Sequence, residues 1–243
     1  MSNYDDVLRF FSNRLKNLDD VEKLSLQSMF VWEENAPEVN IDHYTKIRDK
    51  IGAKWMRCGI SKIVFYFEEL PNMVLKVPVR GHTYLLENNF GDLETVEEKL
   101  FDSAVYLDGD EYNWDYCYAE MLLYNSAKRY MVEDFFLPLT FLGTSKKIPV
   151  YCQPFVKVST DGVIVSHGQI KSGRDMGKKT QTEIVLSGRA IAKFVQTHGE
   201  KDTERFLKFI NSKEIEDLHS QNMGMLDGKV VLIDYGGYRD YIY

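Results

Sequence analysis

Residues 54–79 read KWMRCGISKIVFYFEELPNMVLKVPV, three short runs rich in β-branched and aromatic residues. Gly59 follows the first run, and Leu70-Pro71-Asn72 forms a tight turn between the second and third. This punctuation predicts a three-stranded meander over WMRCG, SKIVFYFEE and NMVLKVPV. Inside the third run stands Lys76, whose ammonium costs stability among apolar neighbours unless it is paired. Two more strand candidates, LPLTFLGT and IPVYCQPFV, follow further along. Between them and the meander, Asn113 can cap a helix over WDYCYAEMLLYNSAKRY. Trp114, Tyr118, Met121, Leu122 and Tyr124 keep one face of that helix apolar, and Glu120 falls in its middle.

Outside this β-rich part the periodicity turns helical. Residues 1–50 place Val7, Leu8, Phe10, Phe11, Leu15, Val21, Leu24, Leu26, Met29 and Phe30 at roughly helical spacing, interrupted at Asn35-Ala36-Pro37. Residues 81–112 are polar and acidic and read as an insertion with a short helix near 92–104. A Ser/Gly/Lys-rich loop at 159–180 precedes helical patterns over 182–197 and 203–213. The chain then runs DLHSQN, an Asp-Gly turn, the apolar strand KVVLID and YGGYRDYIY. The expected class is α+β, with the aromatic N-terminal helices, including Phe30 and Trp32, packed into a core.

Composition narrows the function classes. The 243 residues are 44% hydrophobic and 28% charged, which fits a globular chain and excludes wholesale disorder and disulfide scaffolds. A net charge of −7 argues against broad binding to nucleic acid or to an anionic membrane, because both need a basic surface. Cys58, Cys117 and Cys152 are odd in number and far apart, so they read as small buried hydrophobes in a reducing compartment. The first residues, MSNYDDVLRFFSNRL, carry acids where a signal peptide has bases, and no apolar run reaches membrane-spanning length. A soluble, cytoplasmic protein is expected.

The segment Asp217-Leu-His-Ser-Gln-Asn222, followed after a hairpin by Ile233-Asp234-Tyr-Gly-Gly237, carries the most chemistry. Two carboxylates and a carboxamide are hard oxygen donors. Such a set can hold Mg²⁺ and leave one carboxylate to orient or deprotonate a hydroxyl, the division of labour phosphoryl transfer needs. Taken alone, the same residues also fit a loop that satisfies local backbone. The strand lysine and the helix glutamate upstream add what a site needs to hold the α- and β-phosphates of a nucleotide.

In this order, Val74-Leu75-Lys76, Glu120, Asp217 through Asn222, and Asp234-Tyr235-Gly236 resemble the protein-kinase-like fold over roughly residues 50–240. The strings RCGISKIVFYFEELPNMVLKV and DLHSQNMGMLDGKVVLID look closer to compact phage-encoded and other microbial serine/threonine kinases than to eukaryotic ones. The resemblance implies a minimal two-lobed fold: an N-terminal helical extension over 1–50, an N-lobe over 51–155 with the insertion at about 81–112, and a reduced helical C-lobe over 156–243. It implies ATP and Mg²⁺ as cofactors and protein substrates, host proteins in the host cytoplasm if the chain is phage-encoded. Lys76 would grip the phosphates, Glu120 orient Lys76, Asp217 position the acceptor hydroxyl, and Asn222 and Asp234 bind Mg²⁺. Gly59 and Ser61 would cover the phosphates. At the crossing between lobes, Gln153 or Phe155 would present the backbone N–H to adenine, since Pro154 has none.

The pattern departs from larger kinases at several places. It has one glycine, Gly59, where G-x-G-x-x-G is usual, and Ile215 where the catalytic-loop histidine is usual. The spacing from Lys76 to Glu120 is long, leaving Glu98 and Glu111 as other partners for the lysine. His219 fits a backbone-bonded loop histidine, and D-x-H-x-x-N also occurs in small-molecule phosphotransferases. YGGYRDYIY holds no serine, threonine or Ala-Pro-Glu, which predicts a C-lobe without a phosphorylated activation loop. Two other functions stay open: a small-molecule phosphotransferase, and a pseudokinase that uses the fold to bind host proteins.

Overall fold

The structure, a computed structural model, describes residues 3–32, 38–39, 41–59, 61–79, 81–87, 93–99, 115–157, 188–213, 215, 218 and 222–236. In chain order the elements are α1 (Tyr4–Arg14), α2 (Asp20–Ser25), β1 (Ser28–Trp32), β2 (Glu38–Val39), α3 (Ile41–Ile51), β3 (Trp55–Cys58), β4 (Lys62–Tyr66), β5 (Met73–Pro78), β6 (Gly81–Glu87), β7 (Leu93–Lys99), α4 (Tyr116–Arg129), β8 (Thr140–Ser145), β9 (Ile148–Pro154), α5 (Gly188–His198), α6 (Glu200–Ser212), β10 (Met223–Leu226) and β11 (Lys229–Leu232). The class is mixed α+β. Two compact units divide the chain, one of residues 1–117 with 140–155, the other of 118–139 with 156–243. The sequence groups 51–155 together, whereas Tyr118–Leu139 belongs with the second unit.

The first unit is built on an antiparallel five-stranded sheet of order β3-β4-β5-β9-β8. The expected meander is there, with Phe65 opposite Leu75 and Leu75 opposite Cys152. Alternation sends Ile63, Phe65, Phe67, Leu75, Val77, Val79, Ile148, Val150 and Cys152 to one face. On that face they form a single core with Val7, Phe11 and Leu15 from the N-terminal helix and its extension, and Tyr44, Ile47 and Ile51 from α3. These helical residues recur at three- and four-residue spacing, so each helix offers one apolar stripe to the sheet. Phe10 adds an edge-to-face contact with Phe67 at 5.1 Å. Helices α1 and α3 therefore share the sheet's core and are more than an appendage to it. Asp19 and Glu22 start α2 with a reciprocal capping box, each side chain accepting the other's backbone N–H.

Two expectations are corrected in this unit. Residues 28–32 form a strand within the region read as helical, and residues 81–87 and 93–99 form an antiparallel hairpin where a short helix was expected. With β2, these strands make a second sheet of order β2-β1-β6-β7, in which β1 and β6 run parallel. Cross-strand pairing overrides the helical propensity of LETVEEK. Of the cysteines, all free thiols, Cys117 and Cys152 are buried as expected and Cys58 is half-buried. Burial pushes the Cys58 thiol up to about 12 and that of Cys152 to about 11, which leaves both inert as nucleophiles at neutral pH.

The second unit packs α5, α6 and most of α4 around an aromatic core of Phe135, Phe136, Phe194, Phe206, Phe209 and Tyr235. Phe135 lies nearly parallel to Phe206, ring centroids 4.3 Å apart. The hairpin β10–β11 closes through Asp227 and Gly228, both at positive φ, the two-residue turn that Asp-Gly favours. Inside α4 the buried positions are Cys117, Ala119, Glu120, Leu123 and Ala127. Leu122 is exposed and Tyr118, Met121 and Tyr124 half-buried, so the aromatic face expected from the sequence flanks the buried one. Small residues let this helix seat closely against the core. The expected cap, Asn113, lies outside the described residues; Asp115 immediately precedes the helix. Among the described residues no helix is long and apolar enough to cross a membrane.

Two features of the second unit are directly testable. A Cβ at Gly224 would lie 2.8 Å from Val156 Cγ2, 2.9 Å from Ile233 Cδ1 and 3.0 Å from the Lys157 carbonyl oxygen. Gly224→Ala should therefore cost about 1–3 kcal/mol of stability in chemical denaturation. His198 donates through Nε2 to the Val230 carbonyl at 2.7 Å and stacks on Phe135 at 3.8 Å. Burial holds its pKa below the ordinary 6.5, so folding favours the neutral ring. The unfolded chain then binds the proton more tightly, and this contribution is complete above about pH 6.5 and lost as pH falls toward the folded-state pKa. Thermal unfolding at about pH 7.5 and 5.5 should show the wild type losing more stability than His198→Gln.

Candidate active site

In the first unit the decisive feature is the face of the sheet opposite the aliphatic core. The register sets Val64 opposite Lys76, Lys62 opposite Pro78, and Lys76 opposite Tyr151. Alternation therefore gathers Lys62, Val64, Tyr66, Val74, Lys76, Tyr151 and Gln153 on one side. Lys76 is 2% exposed and Lys62 3%, and Gln153 is also buried. The sequence singled out Lys76; it overlooked Lys62, whose position at the start of a strand looked ordinary. The signal was available in the spacing, because the Leu70-Pro71-Asn72 turn places Val64 opposite Lys76, so Lys62 has the same face as Lys76. Asp115 and Tyr151 were overlooked too: the buried Asp115 carboxylate accepts a 2.6 Å hydrogen bond from the Tyr151 hydroxyl.

Along the same face the chemistry changes with distance from the lysines. Trp55 stacks on Tyr66 at 5.6 Å and 15°, and Phe155 leans on Tyr66 at 4.8 Å. Val64 separates Lys62 from Tyr66 along β4 and is level with Lys76, which stands one step nearer the aromatic end than Lys62. At a rise near 3.4 Å per residue, Tyr66 and Lys62 are about 13–14 Å apart along β4. An elongated ligand with a flat ring at one end and anionic groups at the other matches that gradient.

Both ends of this face have defined backbone. Gly59 N–H donates to the Lys62 carbonyl at 2.9 Å, and Val79 N–H to the Ser61 carbonyl at 3.0 Å. A Cβ at Gly59 would meet the Lys62 carbonyl oxygen at 3.5 Å, an ordinary contact, so this turn does not demand glycine. At the other end, Phe155 N–H donates to the Asn72 carbonyl at 2.9 Å. Alternation turns the Gln153 N–H toward β5 as well, because Val74 and Gln153 are paired two residues along. The expected donors at Gln153 and Phe155 are thus corrected: both N–H groups are directed into the sheet. The outward groups of this segment are the Pro154 carbonyl, an acceptor, and the N–H of Val156.

In the second unit Glu120, on the buried face of α4, is 0% exposed. Its Oε1 accepts a hydrogen bond from Tyr235 N–H at 3.3 Å. Tyr235 is itself buried, packs edge-on against Phe136 at 5.1 Å and donates its hydroxyl to the Leu137 carbonyl at 2.6 Å. The Asp234-Tyr235-Gly236 segment is therefore held by side chain and backbone together. Asn222, 8% exposed, adjoins the first residue of β10, and its carbonyl accepts from Ile233 N–H at 2.7 Å. Ladder pairing thereby brings Asn222 to within one residue of the position opposite Asp234, which is half-buried. A carboxamide and a carboxylate suit a hard divalent cation. Among the described residues no group of three or more His, Cys, Asp or Glu side chains gathers to hold a metal.

Asp217, His219 and Glu111 lie outside the described residues; Ile215 and Leu218 beside Asp217 are buried. Glu98 lies on β7, in the second sheet of the first unit. A surface hollow of about 640 Å³ lined by Asp49, Gly52, Ala53, Lys54, Glu68 and Glu69 sits past the far end of β4 from Lys62. Among its charges Lys54 pairs with Glu68 at 2.9 Å and Glu69 with Arg14.

No protein-family model, curated protein or solved structure matches this chain.

The anchoring of Tyr235 can be measured independently of any activity. Tyr235→Phe removes the hydroxyl and leaves the Leu137 carbonyl without that donor inside an aromatic core, at a cost of about 1–3 kcal/mol. Chemical denaturation monitored by near-ultraviolet circular dichroism should show this loss with the secondary structure retained.

Proposed function

We propose that this protein is a compact ATP- and Mg²⁺-dependent kinase that transfers the γ-phosphate to serine or threonine of protein substrates, within a minimal kinase-like fold. The observation that carries the reading is the graded face of the five-stranded sheet, aromatic at one end and lysine-bearing at the other. A buried lysine on a central strand is expensive in stability. Phosphate oxygens are the partners that turn such a lysine into function.

In this reading the adenine lies toward Tyr66 and the outward backbone of Pro154, and the phosphates lie toward Lys76. Lys76 would stabilise negative charge on the phosphates through a fixed, poorly hydrated ammonium. Asn222 and Asp234 would hold Mg²⁺, which when bound neutralises charge on the phosphate oxygens. Glu120 and Tyr235 keep the backbone of the Asp234 segment in place by their hydrogen bond. Asp217 would accept or orient the proton of the substrate hydroxyl. The net charge of −7 does not oppose nucleotide binding, because phosphate recognition depends on local groups.

Transfer of label from γ-labelled ATP, with Mg²⁺ and a cell lysate, tests the reading. Wild-type protein should label proteins on serine or threonine. Lys76→Met, Asp234→Asn and Asp217→Asn should each lower transfer by about a hundredfold or more, since each removes charge at the reacting phosphates or the acceptor. Label on small metabolites would select a small-molecule phosphotransferase. ATP binding without transfer would select a pseudokinase, and full activity in Lys76→Met or Asp234→Asn would overturn the assignment.

A further inference from the structure

We propose that Lys62 is a second phosphate-contacting residue, working beside Lys76 in place of a glycine-rich loop. The inference rests on the kinase reading and extends it to a residue outside the kinase-like motifs. Lys62 is 3% exposed, nearly as buried as Lys76 at 2%. Since Lys62 pairs with Pro78 and Val64 with Lys76, the two lysines are diagonal neighbours on one face of adjacent strands. Diagonal side chains of this kind lie about 7–8 Å apart, within reach of one another for long side chains. Two ammonium groups at that separation on one face can contact successive anionic oxygens of a single ligand. A chain of phosphates supplies several such anionic oxygens in a row.

The backbone around Lys62 supports the same role. Its carbonyl accepts from Gly59 N–H, and the neighbouring Ser61 carbonyl accepts from Val79 N–H. The side chain therefore starts from a strand end fixed on both sides. The adjoining turn contains one glycine, and a side chain there would meet only ordinary contacts. A loop of this kind has few backbone N–H groups to offer a phosphate. Lys62 supplies the positive charge that they would otherwise provide.

Binding of ATP, ADP and adenosine to wild-type protein, Lys62→Gln, Lys62→Arg and Lys76→Met, in Mg²⁺ and with unfolding temperatures recorded, tests the proposal. Lys62→Gln should lose affinity for ATP and ADP about tenfold or more while adenosine binding stays within error, and Lys62→Arg should keep most of it. Equal loss for all three ligands would mark a structural role and overturn the proposal. So would unchanged ATP affinity in Lys62→Gln. If wild type binds ATP and only Lys76→Met loses it, the kinase reading stands and this inference falls; if wild type binds no nucleotide, both fall.

A second measurement needs no variant. An ATP analogue carrying an acyl group on its γ-phosphate acylates a nearby amine: nitrogen attacks the acyl carbon, an amide forms, a proton leaves and ATP departs. Mass spectrometry should find the acyl group on Lys62 as well as Lys76, with excess ATP suppressing both and adenosine suppressing neither. Acylation of Lys76 without Lys62 would overturn the proposal.

Discussion

The antiparallel register shared by β4, β5 and β9 decides where every important side chain of the first unit goes. Phe65 opposite Leu75, and Leu75 opposite Cys152, fix which residues face the helices and which face away. A slip of one residue would carry Ile63, Phe65, Leu75 and Val77 off the core and bring lysines into it. Each of those apolar side chains contributes about 1.5–3 kcal/mol by burial. Together they fix the register, and Lys62 and Lys76 take the face that this register leaves them. This separation of an apolar face from a charge-bearing one is what makes the second face a candidate for chemistry.

The second unit reaches the same result through aromatic packing and hydrogen bonds. Tyr235 is wedged among Phe136 and the helices, with its hydroxyl and backbone N–H both used. Neighbouring Asp234 therefore starts from a backbone with little freedom, although it is itself half-buried. The Glu120 carboxylate, placed wholly out of water, takes part in fixing that backbone. The same glutamate would be a poor surface residue and a poor core residue. It is explained by the groups it binds.

Much of this architecture was readable from residues alone, wherever local chemistry and long-range packing agree. The meander was legible because Leu70-Pro71-Asn72 punctuates two apolar runs, and the last hairpin because Asp227-Gly228 adopts positive φ with little strain. β6 and β7 were not, because LETVEEK is rich in helix formers and becomes a strand by pairing with β6, which itself pairs with β1, distant in sequence. The buried face of α4 was misassigned for a related reason. Bulky aromatics draw the eye, yet Ala119, Leu123 and Ala127 allow the close approach that a packed helix needs. The motif residues Lys76, Glu120, Asn222 and Asp234 were singled out by type and spacing. Lys62 needed the strand register, and the direction of the Phe155 N–H needed the ladder hydrogen bonds.

Lysines and glycine loops hold phosphates by different physics, and the difference bears on how such a small site could work. A glycine-rich turn offers several oriented N–H dipoles close to the ligand, at the cost of ordering a flexible backbone. A lysine offers a full charge whose effect grows as water is excluded, but its direction is set only by the walls around its stem. Here those walls are rigid: Lys62 and Lys76 rise from paired strands whose other face is locked into the core. The entropy that a glycine loop would lose on binding has already been spent in folding the sheet. Under the proposed function, charge placed on strands would allow a short turn with one glycine to border the phosphates, while specificity for the ring would fall to the aromatic end of the same face.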